Sequence, residues 1–255
     1  MARVKPVSHD EQLTLVDHLD ELRSRLIFSL FAFAIAFAFC GWQNNRILEI
    51  VNKPLPDRYD QPLTFGVTEP FTTTFTNAAY AALLLALPVI LYQVYAFVLP
   101  AFSPTEKRIA KSLMLMVPIL FISGVVFCYF VVLPPATDFL LNFNASEFNT
   151  QVRARDYYSF STLTMLAMGL GFQVPVGILA LVRLNIVTVE QLRRNRRYAI
   201  LVIAVLAALL PTIDPVTMLL EMVPLLVLYE LSILLAAFFT RTVDETTEIA
   251  AAEGS

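Results

Sequence analysis

In a chain of 255 residues, 57% are hydrophobic and only 15% are charged, a balance that excludes a water-soluble core and marks a membrane protein. A hydrocarbon layer about 30 Å thick takes roughly 20 apolar residues per crossing helix, and several charge-poor runs approach or exceed that length. The formal net charge is −3, and no nucleic-acid partner is expected.

The first element, within residues 1–25, is an amphipathic helix on the cytoplasmic side. Leu15, Leu19, Leu22 and Leu26 recur at spacings of four, three and four and form an apolar stripe. Asp17, Glu21 and Arg25 recur every four residues on another face, where a Glu four positions before an Arg contributes a few tenths of a kcal/mol. Taken alone, that face reads as a solvated anchor for the first span.

Six spans follow, at about 26–42, 74–99, 112–133, 158–182, 198–210 and 216–239. The first reads as a retained span and not a cleaved signal, because bulky Phe39 precedes Cys40 and the segment before it is not simply basic. Between the second and third, Ser103, Pro104 and Glu106 form a capping box, so Glu106 has a ready structural role at a helix start. The fifth span has thirteen residues and covers about 20 Å, so it needs thinned bilayer, sheltering neighbours or its own flanks. Residues 240–255 are expected to form a cytoplasmic tail. The whole of 1–255 reads as one membrane domain, an all-α bundle of six transmembrane helices.

Lys and Arg set the orientation, since they stay on the cytoplasmic side while Asp and Glu count for little. With the N-terminus inside, thirteen of the eighteen fall on one side, in 1–25, 107–111, 183–197 and at Arg241. Both termini are therefore expected to be cytoplasmic. Cys40 and Cys128 lie in apolar runs, where a thiol is an inert small hydrophobe. His9 and His18 both precede the first span, so no buried histidine serves a metal or a catalytic dyad, and no Gly-rich loop with Lys binds a nucleotide. Neither a metal, a cofactor nor an enzymatic activity is expected.

Polar side chains inside the spans are the remaining signal, because an ionisable group at depth costs from about 2.5 kcal/mol upward and marks function. Gln173 lies mid-span in "MGLGFQVPVG", where Gly and Pro loosen the helix; Glu221 and Glu230 lie in the last span. Nine residues on a helix is about 180°, so these two acids face opposite sides.

Together the blocks "HLDELRSRL" at 18–26, "KPL" at 53–55, "LPVILYQVYAFVLPAFSPTEKR" at 87–108, "FQVPV" at 172–176 and Asp214 after the fifth span resemble one family. It is TatC, a subunit of the twin-arginine protein translocase, and the resemblance runs from about Leu13 to Phe239. The resemblance implies a core receptor that binds twin-arginine signal peptides at the cytoplasmic face of a bacterial-type inner membrane. It implies assembly with TatA-type and TatB-type single-span subunits, self-association in a larger complex, and export of folded proteins driven by the proton-motive force.

In that family, acids matching Glu21 and Glu106 form the patch that receives the arginine pair, and Arg23 and Phe97 stand at matching positions beside them. The chemistry suits the role, since carboxylate pairs with guanidinium bidentately. Pro54 and Asp214 also match family positions, although "PTID" lacks the paired prolines often found before that acid. Gln173 stands where many members carry Glu, at a point thought to meet a partner helix, and Glu230 matches a family acid. Glu221 matches none.

A proton-coupled small-solute transporter is the alternative, since intramembrane Gln and Glu with Pro-broken helices suit such a protein. Six spans without a visible internal repeat fit it poorly.

Overall fold

The structure, a computed structural model, describes residues 15–56, 59, 61–98, 107–184, 186–208 and 214–253. Among these every named element is a helix, joined by turns, with one isolated parallel bridge between Leu63 and Arg153. In order the helices are α1 (Leu15–Trp42), α2 (Asn44–Asn52), α3 (Glu69–Val98) and α4 (Lys107–Phe127). A π-helical turn (Cys128–Val132) then leads into α5 (Leu133–Asn142), followed by α6 (Ala154–Gly171) and α7 (Val174–Arg183). The last three are α8 (Val189–Arg194), α9 (Arg196–Ala208) and α10 (Pro215–Glu253).

Among the described residues five stretches are long and apolar enough to cross a membrane: His18–Trp42, Glu69–Val98, Met114–Asn142, Ala154–Arg183 and Pro215–Phe238. The fifth expected span is α9, apolar but only thirteen residues long, or about 20 Å. It leans on α10, burying Ile203 and Ala207 while Leu201, Val202, Val205 and Leu206 stay exposed. Exposed Leu26, Phe28, Leu30, Phe31 and Ile35 likewise line α1. Outward apolar faces of this extent suit lipid and not water.

The spans run longer than their charge-poor cores. α1 continues unbroken from the amphipathic segment into the first span, and α10 continues through the expected tail to Glu253, because an i→i−4 ladder needs no apolar side chains to propagate. The fourth span is instead split. Pro175 lacks an N–H and disfavours helical backbone before it, so the chain tightens at Gln173, whose N–H donates to Leu170 O at 2.9 Å, before α7 restarts.

The helices pack in a row: α1 on α3, α3 on α4 and α6, α4 on α6, and α7, α8 and α9 on α10. Without a hydrophobic drive between helices in lipid, close approach relies on small side chains. Ala36 and Cys40 of α1 meet Ala78, Ala82 and Ala86 of α3. A Cβ on Gly169 of α6 would lie 2.7 Å from the Phe121 ring of α4, and one on Gly124 of α4 would lie 2.8 Å from Met168 O. Both glycines hold α4 against α6. Cys40 and Cys128 are free and belong to separate packing clusters.

One end of the row, the cap end, carries α2 and the turns 53–56, 61–68 and 143–153; the other, the basic end, carries Glu21 and the end of α3. The last carbonyls of α2 have no partner within their own helix. Tyrosines supply it: Tyr129 Oη–H donates to Ile50 O and Tyr157 Oη–H to Val51 O, each at 2.7 Å. Leu63 N–H donates to Val152 O at 2.7 Å and Ala154 N–H to Leu63 O at 2.8 Å, tying the two turns together. Glu69, buried at the start of α3, locks the tie by accepting Phe65 N–H (2.8 Å), Gly66 N–H (3.1 Å) and Arg153 Nε–H (2.6 Å). The hydrogen bond to Glu69 raises the Arg153 guanidinium above its ordinary pKa.

Candidate functional site

At the basic end, the first turns of α1 lie beside the last turns of α3. Glu21 and Arg25 share a face of α1 one turn apart, so their side chains meet. Arg25 donates Nε–H at 3.0 Å and Nη2–H at 2.5 Å to one oxygen of Glu21, and Nη1–H at 2.9 Å to Gln93 Oε1 on α3. The other Glu21 oxygen lies 4.0 Å from His18 Nδ1. His18 in turn stacks on Phe97, with ring centroids 4.2 Å apart and planes 15° from parallel. The result is a partly exposed carboxylate that already holds a guanidinium, beside an aromatic floor.

Of the predicted docking residues, the structure brings Glu21 and Phe97 together through His18. Arg23 lies on the exposed face of the same turn. Glu106 lies outside the described residues. Spacing had shown Arg25 as the i+4 partner of Glu21, but nothing in the sequence joined Gln93 or His18 to them, because those contacts are made between helices.

Gln173 is 8% exposed. Its Nε2–H donates to Val117 O of α4 at 3.2 Å, beside Pro118, while its Oε1 has no partner. A proline inside a helix frees backbone groups for neighbours, and Gln173 bonds next to such a break. The amide is thus half engaged within the chain, its other half buried without a partner.

The remaining predicted residues lie apart from the docking cluster. Glu230 faces outward and pairs with Arg196 of α9 at 2.8 Å, both about half exposed (47% and 51%). Asp214 caps α10, accepting Thr217 N–H at 2.7 Å. Pro54 sits in the cap, where its carbonyl accepts Thr137 Oγ1–H at 3.1 Å. Among the described residues no group of three His, Cys, Asp or Glu gathers to hold a metal ion.

Between α3, α4 and α6 lies an open groove of about 380 Å³, lined by apolar side chains and flanked by Ile47, Ile50 and Val51 of α2. Asn77 also lines it, 1% exposed and with both amide atoms unpartnered. Neither Asn77 nor the Glu69–Arg153 tie was singled out in the sequence. The tie joins residues 84 apart, and Asn77 carries no charge to mark it.

Residues 17–224 match the family model described as Sec-independent protein translocase protein (TatC). The TatC of Carboxydothermus hydrogenoformans is 36% identical over 230 residues, 90% of this chain and 95% of that one. The TatC of Aquifex aeolicus is 34% identical, covering 90% and 97%, and the chloroplastic protein of Arabidopsis thaliana is 33% identical, covering 89% and 67%. A crystal structure described as the twin arginine translocase receptor TatC in DDM superposes with a TM-score of 0.77 at 35% identity, over 86% of this chain and 99% of the other. Helix order, apolar faces and these likenesses agree, and the chain belongs to the TatC family of Sec-independent protein translocase components, as a multi-pass membrane protein.

Proposed function

We propose that this chain is the receptor of its translocase and that the basic end is where it receives the paired arginines of a signal peptide. The observation that carries the reading is the Glu21 carboxylate gripping the Arg25 guanidinium through two N–H groups beside the His18–Phe97 stack. A site that binds one guanidinium in that geometry has the chemistry to bind another. Arg23, exposed on the same turn, completes the charged surface, and Glu106 supplies the second acid.

In this reading both termini and the basic end face the cytoplasm of a bacterial-type inner membrane, and 1–255 acts as one membrane domain. The half-engaged amide of Gln173 meets a TatA-type or TatB-type helix, several copies of the chain assemble, and the proton-motive force drives export of folded cargo. A relative of known structure is described as a twin arginine translocase receptor, which supports the assignment of role.

Site-specific photocrosslinking of a twin-arginine signal peptide tests it. Crosslinks are expected from positions beside Glu21 and Phe97, and they should weaken strongly when the peptide's arginines become lysines, since lysine offers a point charge and not a planar fork. A double Glu21→Gln, Glu106→Gln variant that inserts normally and still crosslinks at full strength overturns the assignment.

A further inference from the structure

Asp214, Thr217 and Glu221 occur at i, i+3 and i+7, so they line one face of α10 from its cap inward. Burial deepens along that face. Asp214 is half-buried at the helix start, while Thr217 and Glu221 are both 0% exposed. The Thr217 hydroxyl and both Glu221 oxygens have no hydrogen-bond partner. Glu221 lies two turns below the cap, about 10 Å along the axis.

The ionisable groups that interact electrostatically with Glu221 are Asp214 on its own face and Cys128, the first residue of the π-helical turn. Other charged groups on elements packed against α10 are committed elsewhere. Asp138 of α5 is exposed and accepts Asn142 Nδ2–H. Tyr129 of the π turn donates to Ile50 O. Arg196 of α9 pairs with Glu230, and Arg183, Glu190, Arg193, Arg194 and Arg197 lie at the basic-end termini of α7, α8 and α9. No cation reaches the Glu221 carboxyl among the described residues.

A carboxylate sealed from water with no donor on either oxygen gives up all its solvation, and such a group neutralises by taking a proton. A helix face built only to pack would bury a leucine there. The π turn beside it is a widened helical turn of a kind found often at functional sites.

We infer that Glu221 is a proton-binding site inside the membrane, loaded from the cap end by way of Asp214 and Thr217. Loading forms one O–H bond on the carboxylate, with a proton that leaves a hydronium ion or the Asp214 carboxyl. Thr217 Oγ1, without a partner in the closed packing, passes it along when its hydroxyl comes within hydrogen-bond reach of the Glu221 carboxyl. Release reverses the step and requires α10 to part from the π turn, because the ion needs donors that the closed packing withholds. This goes beyond the docking reading and is tested without cargo, so the two can fail separately.

Infrared spectroscopy of the purified chain in lipid nanodiscs provides the test. A protonated-carboxyl C=O absorption is expected at neutral pH, absent from Glu221→Gln, and shifted on exchange into D₂O. Labelling glutamate carboxyl carbons with ¹³C in the unaltered chain should move the band, which assigns it to Glu even where the variant fails to fold. Thr217→Val should slow the D₂O exchange at least several-fold. A missing band, one that persists in Glu221→Gln, or one that ignores the glutamate label overturns the site. An unchanged exchange rate in Thr217→Val overturns the route.

Discussion

Replacing Glu21 by Gln keeps the side chain's size and removes the charge that now holds Arg25. The internal pair is part-exposed, at 28% for Glu21 and 26% for Arg25, and an i,i+4 pair in that setting contributes only about 0.3–0.5 kcal/mol. Arg25 is therefore a weak occupant. An incoming guanidinium that forms one charge-assisted bond with the carboxylate gains about 1.5–3 kcal/mol. Subtracting the displaced pair leaves roughly 1–2.5 kcal/mol, so Glu21→Gln should raise the Kd of a twin-arginine signal peptide about 5- to 70-fold. Arg25→Gln removes the competitor and should tighten docking by no more than about twofold. The assay is equilibrium binding of a fluorescent signal peptide to the chain in nanodiscs at two ionic strengths, where higher salt should weaken docking to these part-exposed charges. A Kd for Glu21→Gln within twofold of the unaltered chain would refute the role of the carboxylate. Tenfold weaker docking in Arg25→Gln would refute the account of Arg25 as an occupant and make it part of the binding surface.

Gln173→Leu removes one neutral bond to Val117 O, worth about 1 kcal/mol, together with the unpartnered Oε1. Signal-peptide crosslinking should persist, while crosslinking to a TatA-like or TatB-like helix and export should fall, and Gln173→Glu should retain substantial activity; normal partner crosslinking and export in the leucine variant return Gln173 to a purely internal role. In a chain without Cys40 and Cys128, cysteines at Ser8 and Asn195 should be shielded from an impermeant thiol reagent in intact cells, whereas cysteines at Asp60 and Asn149 should label. Labelling at 195 from outside overturns the orientation. Gly169→Val drives a side chain into the fully buried Phe121 ring, and overpacking of this kind costs about 1–3 kcal/mol; thermal unfolding in detergent should move down, and an unchanged Tm argues against tight α4–α6 packing.

Much of the fold was legible because the bilayer imposes a length and a composition on each crossing that can be counted along a chain. The short fifth span was visible in this way: α9 has thirteen residues, as many as the apolar run 198–210, and lies two residues earlier, at Arg196–Ala208. The pairing of Glu21 with Arg25 was legible for a related reason, since helical periodicity brings positions four apart together without any help from the fold. The split at Gln173 was foreshadowed by Gly171 and Pro175, residues whose backbone limits act locally.

Local periodicity and apolar length thus determined the class, the spans and the family resemblance, because both are properties of neighbouring residues in the chain. Only the tertiary structure decided which helices meet, and with that the chemistry of each polar group. Gln93 reaches Arg25 from 68 residues away and Tyr157 reaches Val51 from 106, separations at which spacing carries no information. The two acids of α10 make the contrast plainest. The sequence placed Glu221 and Glu230 on opposite faces, but packing alone sealed one against Cys128 and left the other paired with Arg196 at the surface, because burial depends on which neighbour covers a face.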